Sequence, residues 1–172
     1  MKGIFEQFLG PNKATTTEEQ LTVHCGEIFQ LWQHLVKRYD IRELTDIFQN
    51  FAKDTEFKAI LSLGLNVLDE EIKELEDEMK RLGIPLPARP PKSINTPSNT
   101  EVLRDELMFR IVYTGIQSFL SEQIQSILAM QNKKLRNIFL KMERKEIDMY
   151  NKMSVYGKLK GWIYIPPEYG PK

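Results

Sequence analysis

The residues with most capacity for chemistry are a few acids and one histidine. His24, Glu71, Asp105, Gln123 and Glu146 fall on or beside apolar helical stripes when successive residues are turned by about 100°, and Glu27 sits at the stripe edge beside His24. Counted from a shared bundle end, Glu71, Gln123 and Glu146 come within a few turns of one another and His24 about one turn further, which predicts a small buried polar layer. Inward-facing carboxylates are the raw material of a carboxylate-bridged metal centre. That centre takes a Glu from each of two helices and a Glu-x-x-His from each of the other two. Here both histidines, His24 and His34, lie in the first helical segment, and Glu71-Ile-Lys-Glu74 and Glu143-Arg-Lys-Glu146 put a glutamate where the pattern has histidine. The candidate metal ligands are therefore His24, Glu27, Glu71 and Glu146, an oxygen-rich set that would suit a divalent metal such as Mg, Ca or Mn better than redox iron. The preferred reading has no cofactor: Glu146 and His24 form hydrogen bonds or a buried pair that fixes helix register.

Other chemistry is sparse. Cys25 beside His24 is no dyad, because consecutive helical residues point about 100° apart, and a lone cysteine of this kind is expected as a small buried hydrophobe. It allows no internal disulfide and suits a reducing interior. Met142, Met149 and Met153 read as core filling, and no phosphate loop, nucleophile elbow or zinc spacing occurs. An enzyme is the minority reading of this sequence. Its 24 basic and 24 acidic residues cancel, which leaves no net field to attract nucleic acid. No apolar run approaches the length of a membrane span, and no secretory leader is expected.

Four helical segments position these groups. Residues 1–16 read as an arm, and Thr17 with Gln20 forms a capping box for a first helix running to about Lys53. Its stripe is Leu21, His24, Cys25, Ile28, Leu31, Trp32, Leu35 and Val36, losing phase at Tyr39 and Asp40. Asp54 caps a second helix whose stripe, Phe57, Leu61, Leu65, Leu68, Ile72, Leu75, Met79 and Leu82, keeps a seven-residue repeat to Gly83. Ser98 with Glu101 opens a third, and Asn132 a fourth that stops at Gly157. Residues 158–172 form an aromatic, Pro-rich tail expected to lie over the bundle.

Between the second and third helices, residues 83–99 contain five prolines. They hold the chain extended, with a reach of about 45 Å at 3.1 Å per residue, enough to run the length of a bundle. The expected fold is all-α: a ferritin-like four-helix bundle of two antiparallel hairpins joined by a long Pro-rich crossover, one domain over 1–172. That topology makes the second and fourth helices antiparallel neighbours, so that the acids between Asp69 and Glu78 face the bases between Lys133 and Lys152. The alternative is two separately solvated faces.

Three stretches carry a family resemblance: His24-Cys-Gly-Glu-Ile-Phe-Gln-Leu-Trp, Glu71-Ile-Lys-Glu-Leu-Glu leading to Leu82-Gly-Ile-Pro-Leu-Pro, and Gly161-Trp-Ile-Tyr-Ile-Pro-Pro. Together they resemble an uncharacterised spore coat protein-like family of Bacillus and its relatives, similar to the spore coat F-type family. The resemblance implies a ferritin-like bundle of an endospore former, placed in the mother cell or the spore coat. It further implies a structural role, with other coat proteins or a second copy as partner. It brings no activity with it.

Overall fold

A computed structural model of the chain describes residues 23–90 and 103–164. Four helices account for most of them: α1 (Cys25–Phe51), α2 (Thr55–Arg81), α3 (Asp105–Ala129) and α4 (Lys133–Lys160). Among the described residues no helix is long and apolar enough to cross a membrane.

Helix α2 follows its sequence pattern. The Asp54 side chain accepts from the Phe57 amide at 2.9 Å, which satisfies one of the amides a helix start leaves without an intrahelical partner. Phe57, Leu61, Leu65, Ile72, Leu75 and Met79 are buried, and Gly83 ends the helix at φ 70°, with the Ile84 amide reaching back to Met79 O at 2.9 Å.

The other helices correct their expected ends. Thr17, Gln20, Ser98 and Glu101 lie outside the described residues, but Val23, His24, Leu103 and Arg104 are non-helical, so α1 and α3 begin with His24 and Arg104 as N-caps. His24 is thus exposed at a helix end and is not a member of the buried stripe. Cys25 is exposed as well, the first residue of α1. Gly157 does not stop α4. It lies inside the helix, where a Cβ would stand 2.2 Å from Phe109 Cζ, and its missing side chain seats that ring. The stop is Gly161 at φ 69°, and the Trp162 amide closes the turn on Gly157 O at 2.9 Å.

The two hairpins turn through three residues each, Ala52–Asp54 and Met130–Asn132. Lys134–Glu78 (2.6 Å), Lys141–Glu74 (3.0 Å) and Lys145–Glu70 (2.8 Å) join α4 to α2 with opposed directions, as the charge pattern requires. Helix α1 runs antiparallel to α3, since Gln30 meets Ser126 and Lys37 meets Glu122. The crossover leaves α2 and turns back along the bundle, where Arg89 grips Glu76 through Nε (2.8 Å) and Nη2 (2.6 Å). Its far side, Leu103, packs in the cluster at the opposite end. Residues 91–102 of the predicted crossover lie outside the described residues.

The core has two parts. One is mainly aliphatic, with Leu31, Leu35, Ile72, Leu75, Met79, Leu135 and Phe139. The other holds Phe48, Phe57, Met108, Phe109 and Met153, with Tyr113, Tyr150, Tyr156 and Trp162 packed around it. The start of the tail therefore lies on the bundle: Trp162 meets Phe57 and Phe109 with centroids 5.7 Å apart in each case.

Candidate functional site

Between the two clusters lies a polar layer centred on Arg38. Its side chain is 1% exposed and touches all four helices. Nε donates to Glu71 Oε2 on α2 at 2.9 Å, Nη1 to His34 Nδ1 on α1 at 3.1 Å, and Nη2 approaches Met142 Sδ on α4 at 3.5 Å. The guanidinium stands over the Phe119 ring of α3, 5.1 Å from its centroid. A planar fork of donors suits such a many-sided contact, which a point charge on lysine could not make.

The neighbours of Arg38 fix the state of His34. Because Nδ1 faces a guanidinium N–H it must accept, so the proton resides on Nε2, which donates to Ser126 Oγ at 2.7 Å. The Ser126 hydroxyl passes the direction on to Gln30 Oε1 at 2.8 Å. Burial lowers the His34 pKa to about 3, with the charges of Arg38 and Lys37 adding to the shift. The ring is neutral across the physiological range.

On the far side of Glu71 are the acids of α4. Glu146 approaches Gln123 Nε2 at 3.5 Å. Burial pushes its carboxyl up to about 7, Glu71 adds to the push and Arg38 opposes it. Burial also raises the pKa of Glu143. The predicted association of Glu71, Gln123 and Glu146 is therefore present. Beside it opens a cavity of about 80 Å³ whose walls include Arg38, Glu71, Glu146, Phe119 and Met149.

A carboxylate-bridged metal centre does not fit this layer. The point on which the helices converge is filled by a guanidinium, a fixed cation already paired with Glu71, and both ring nitrogens of His34 are engaged. Among the described residues no three His, Cys, Asp or Glu side chains converge as a metal-binding group. Of the four candidate ligands, Glu71 and Glu146 share the layer, while His24 and Glu27 do not reach it. Glu27 precedes Arg38 by about three turns, roughly 16 Å along the helix. The expected pair between His24 and Glu146 is absent for the same reason.

Glu27 has a different task. Its Oε2 accepts from the His24 amide at 2.9 Å, completing a capping box, and its Oε1 accepts from the amides of Gln131 (2.8 Å) and Asn132 (2.7 Å) in the turn of the other hairpin. Asp105, another residue singled out by its position, does the reciprocal work at the far end. Its two oxygens take the amides of Lys53 and Asp54, each at 2.9 Å. Sequence reasoning missed Arg38, His34 and Ser126 as members of the layer. The available signal was spacing alone: Arg38 follows Leu31 by seven residues and Leu35 by three, which places it on the buried face.

The bundle has relatives among solved structures. One, a "putative spore coat protein" from Bacillus halodurans C-125, matches with a TM-score of 0.80 at 21% sequence identity, over 86% of this chain and 96% of that one. Another is a two-domain protein from Anabaena variabilis ATCC 29413 containing DJ-1/ThiJ/PfpI-like and ferritin-like domains. It matches with a TM-score of 0.66 at 17% identity, over 98% of this chain and 52% of that one, so this chain spans about half its length. At such identities the likeness is one of fold, a ferritin-like four-helix bundle. A family model described as a protein of unknown function (DUF3231) matches residues 12–172. No curated protein sequence matches the chain.

Proposed function

This chain belongs to the DUF3231 family of proteins of unknown function, and from that premise we propose that it is a non-catalytic building block of a spore coat-like protein layer. It joins a second copy of itself, as a homodimer, or other coat proteins. The observation that carries the reading is the outward pairing of large apolar side chains at helical spacing on three helices. Phe29 and Trp32 are 59% and 43% exposed on α1, Ile124 and Leu128 46% and 77% on α3, and Val155 and Leu159 61% and 82% on α4. Exposed apolar pairs of this kind supply interaction faces in folded proteins. The polar layer supports the same reading, because its cation and histidine are spent on holding helices together. The fold relative from Bacillus halodurans carries a matching description.

Light scattering and sedimentation of the purified chain test this. A defined dimer or larger assembly that Leu128→Glu with Leu159→Glu dissociates, leaving the helical signal unchanged, is the expected result. A strict monomer at high concentration overturns it. Metal analysis of protein prepared without chelator should find less than about a tenth of an equivalent of any divalent ion; a stoichiometric metal would instead support a mixed His/carboxylate or oxygen-rich centre.

A further inference from the structure

The polar layer holds buried acceptors without donors, and the cavity beside it is where donors would enter. Arg38 is paired with Glu71, and its Nε, Nη1 and Nη2 each already have a partner. Three buried atoms of the layer have no hydrogen-bond partner, Glu71 Oε1, Gln123 Oε1 and Glu143 Oε2, and all three are acceptors. The Glu71 side chain is 1% exposed and lines the cavity together with the Glu146 carboxyl. A buried acceptor left without a donor is costly, so this site asks for N–H groups brought from outside.

The remaining walls ask for something else. Phe119, Met149 and their neighbours make the cavity predominantly apolar, and its two backbone walls are glycines in the middle of helices, Gly64 and Gly115. At neither glycine would a Cβ meet any atom within 4 Å. Alanine would favour both helices and fit both places, so the open space follows from residue choice and not from crowding. A volume of about 80 Å³ holds several waters or a small organic molecule.

We propose that this cavity binds a small primary ammonium compound with a short unbranched apolar chain. The ammonium donates to Glu71 Oε1 and to the Glu146 carboxylate, and the chain lies against Phe119 and Met149 between the two glycines. Arg38 stays in place and keeps Glu71 oriented. The site is lined by none of the outward residues that carry the structural role above, and so goes beyond it.

Binding of n-butylammonium, followed by calorimetry and by the methyl resonance of Met149, tests the proposal on the full chain. Saturable one-to-one binding is expected, with n-butanol at least tenfold weaker. Glu146→Gln should weaken n-butylammonium at least tenfold and leave n-butanol unchanged, and Gly115→Leu should abolish both. Should Gly115→Leu fail to fold, Gly64→Ala with Gly115→Ala narrows the same space and must weaken binding. Affinity should rise from pH 6 to pH 8 as Glu146 ionises, the groups facing it being Arg38, Glu71, Gln123, Glu143 and Lys145. Equal affinity for n-butanol, binding that survives Gly115→Leu, absence of saturable binding, or one-to-one displacement of the amine by Mn²⁺ each overturns it.

Discussion

At one end of the bundle Glu27 of the first hairpin grips the amides of Gln131 and Asn132; at the other, Asp105 of the second hairpin grips those of Lys53 and Asp54. The two clasps are near copies related by exchange of the hairpins. The side chains behind them are not, since one end is filled mainly by leucine, isoleucine and methionine and the other is built around phenylalanine, tyrosine and tryptophan. Backbone closure and core filling are thus separate problems solved by separate residues. The layer around Arg38 belongs to neither end and ties all four helices to one register through a single side chain.

The largest test concerns that layer. Arg38→Leu leaves Glu71 buried without its cation and should cost about 3–5 kcal/mol in urea unfolding, whereas Arg38→Met with Glu71→Met should be close to neutral or more stable. If the double variant is as damaged as the single one, the layer does more than balance charge.

Breaking the clasps comes next. Glu27→Ala strands two turn amides and should cost about 1–3 kcal/mol by the same measurement. Asp105→Ala should cost less, because Lys53 and Asp105 are open enough for water to replace the carboxylate. Equal losses would show the two ends to be energetically equivalent despite their different fillings.

Gly157→Ala probes the aromatic end. Its Cβ would collide with Phe109, which is fully buried, and overpacking of about 1–3 kcal/mol should exceed the gain in helix propensity. Phe109→Leu in the same chain should relieve it.

Stability against pH separates the titrating members of the layer. His34 stays neutral down to about 3 against an ordinary 6.5, so the unfolded chain takes up that proton first and this group makes stability rise from about pH 3 to 6.5. Glu146 holds its proton up to about 7 against an ordinary 4.5, so the folded chain keeps a proton the unfolded one has lost, and stability falls from about pH 4.5 to 7. The slopes oppose between about pH 4.5 and 6.5. Glu146→Gln should expose the rise and His34→Gln the fall, read from urea midpoints across that interval.

The smallest effect is on the surface. Lys141→Glu breaks an exposed pair with Glu74, and its cost should stay under about 1 kcal/mol and fade in high salt.

Sequence and structure agree where one physical rule acts alone. Helix α2 has a single apolar face, a carboxylate cap and a glycine stop, and each was readable. The opposed acidic and basic flanks were readable too, because connectivity and charge pointed the same way. Helix α1 was misread because its buried face carries Glu27, His34, Arg38 and Thr45, while Ile28 and Trp32 look outward. A search for apolar stripes rejects the first four residues by type. The stop of α4 was misplaced because two glycines lie one turn apart. What assigns them is Phe109, a residue of another helix whose ring occupies the space over one of them.

The crossover has a consequence for how the chain can be cut. Each hairpin is joined by a turn of three residues, while the link between hairpins starts at one end of the bundle and finishes at the other. Contacts are densest within each hairpin, α1 with α2 and α3 with α4, which makes the molecule separable in principle into a pair of fragments. Severed within that link and mixed, such halves should find one another and rebuild the native bundle, guided by the reciprocal grip of Glu27 and Asp105.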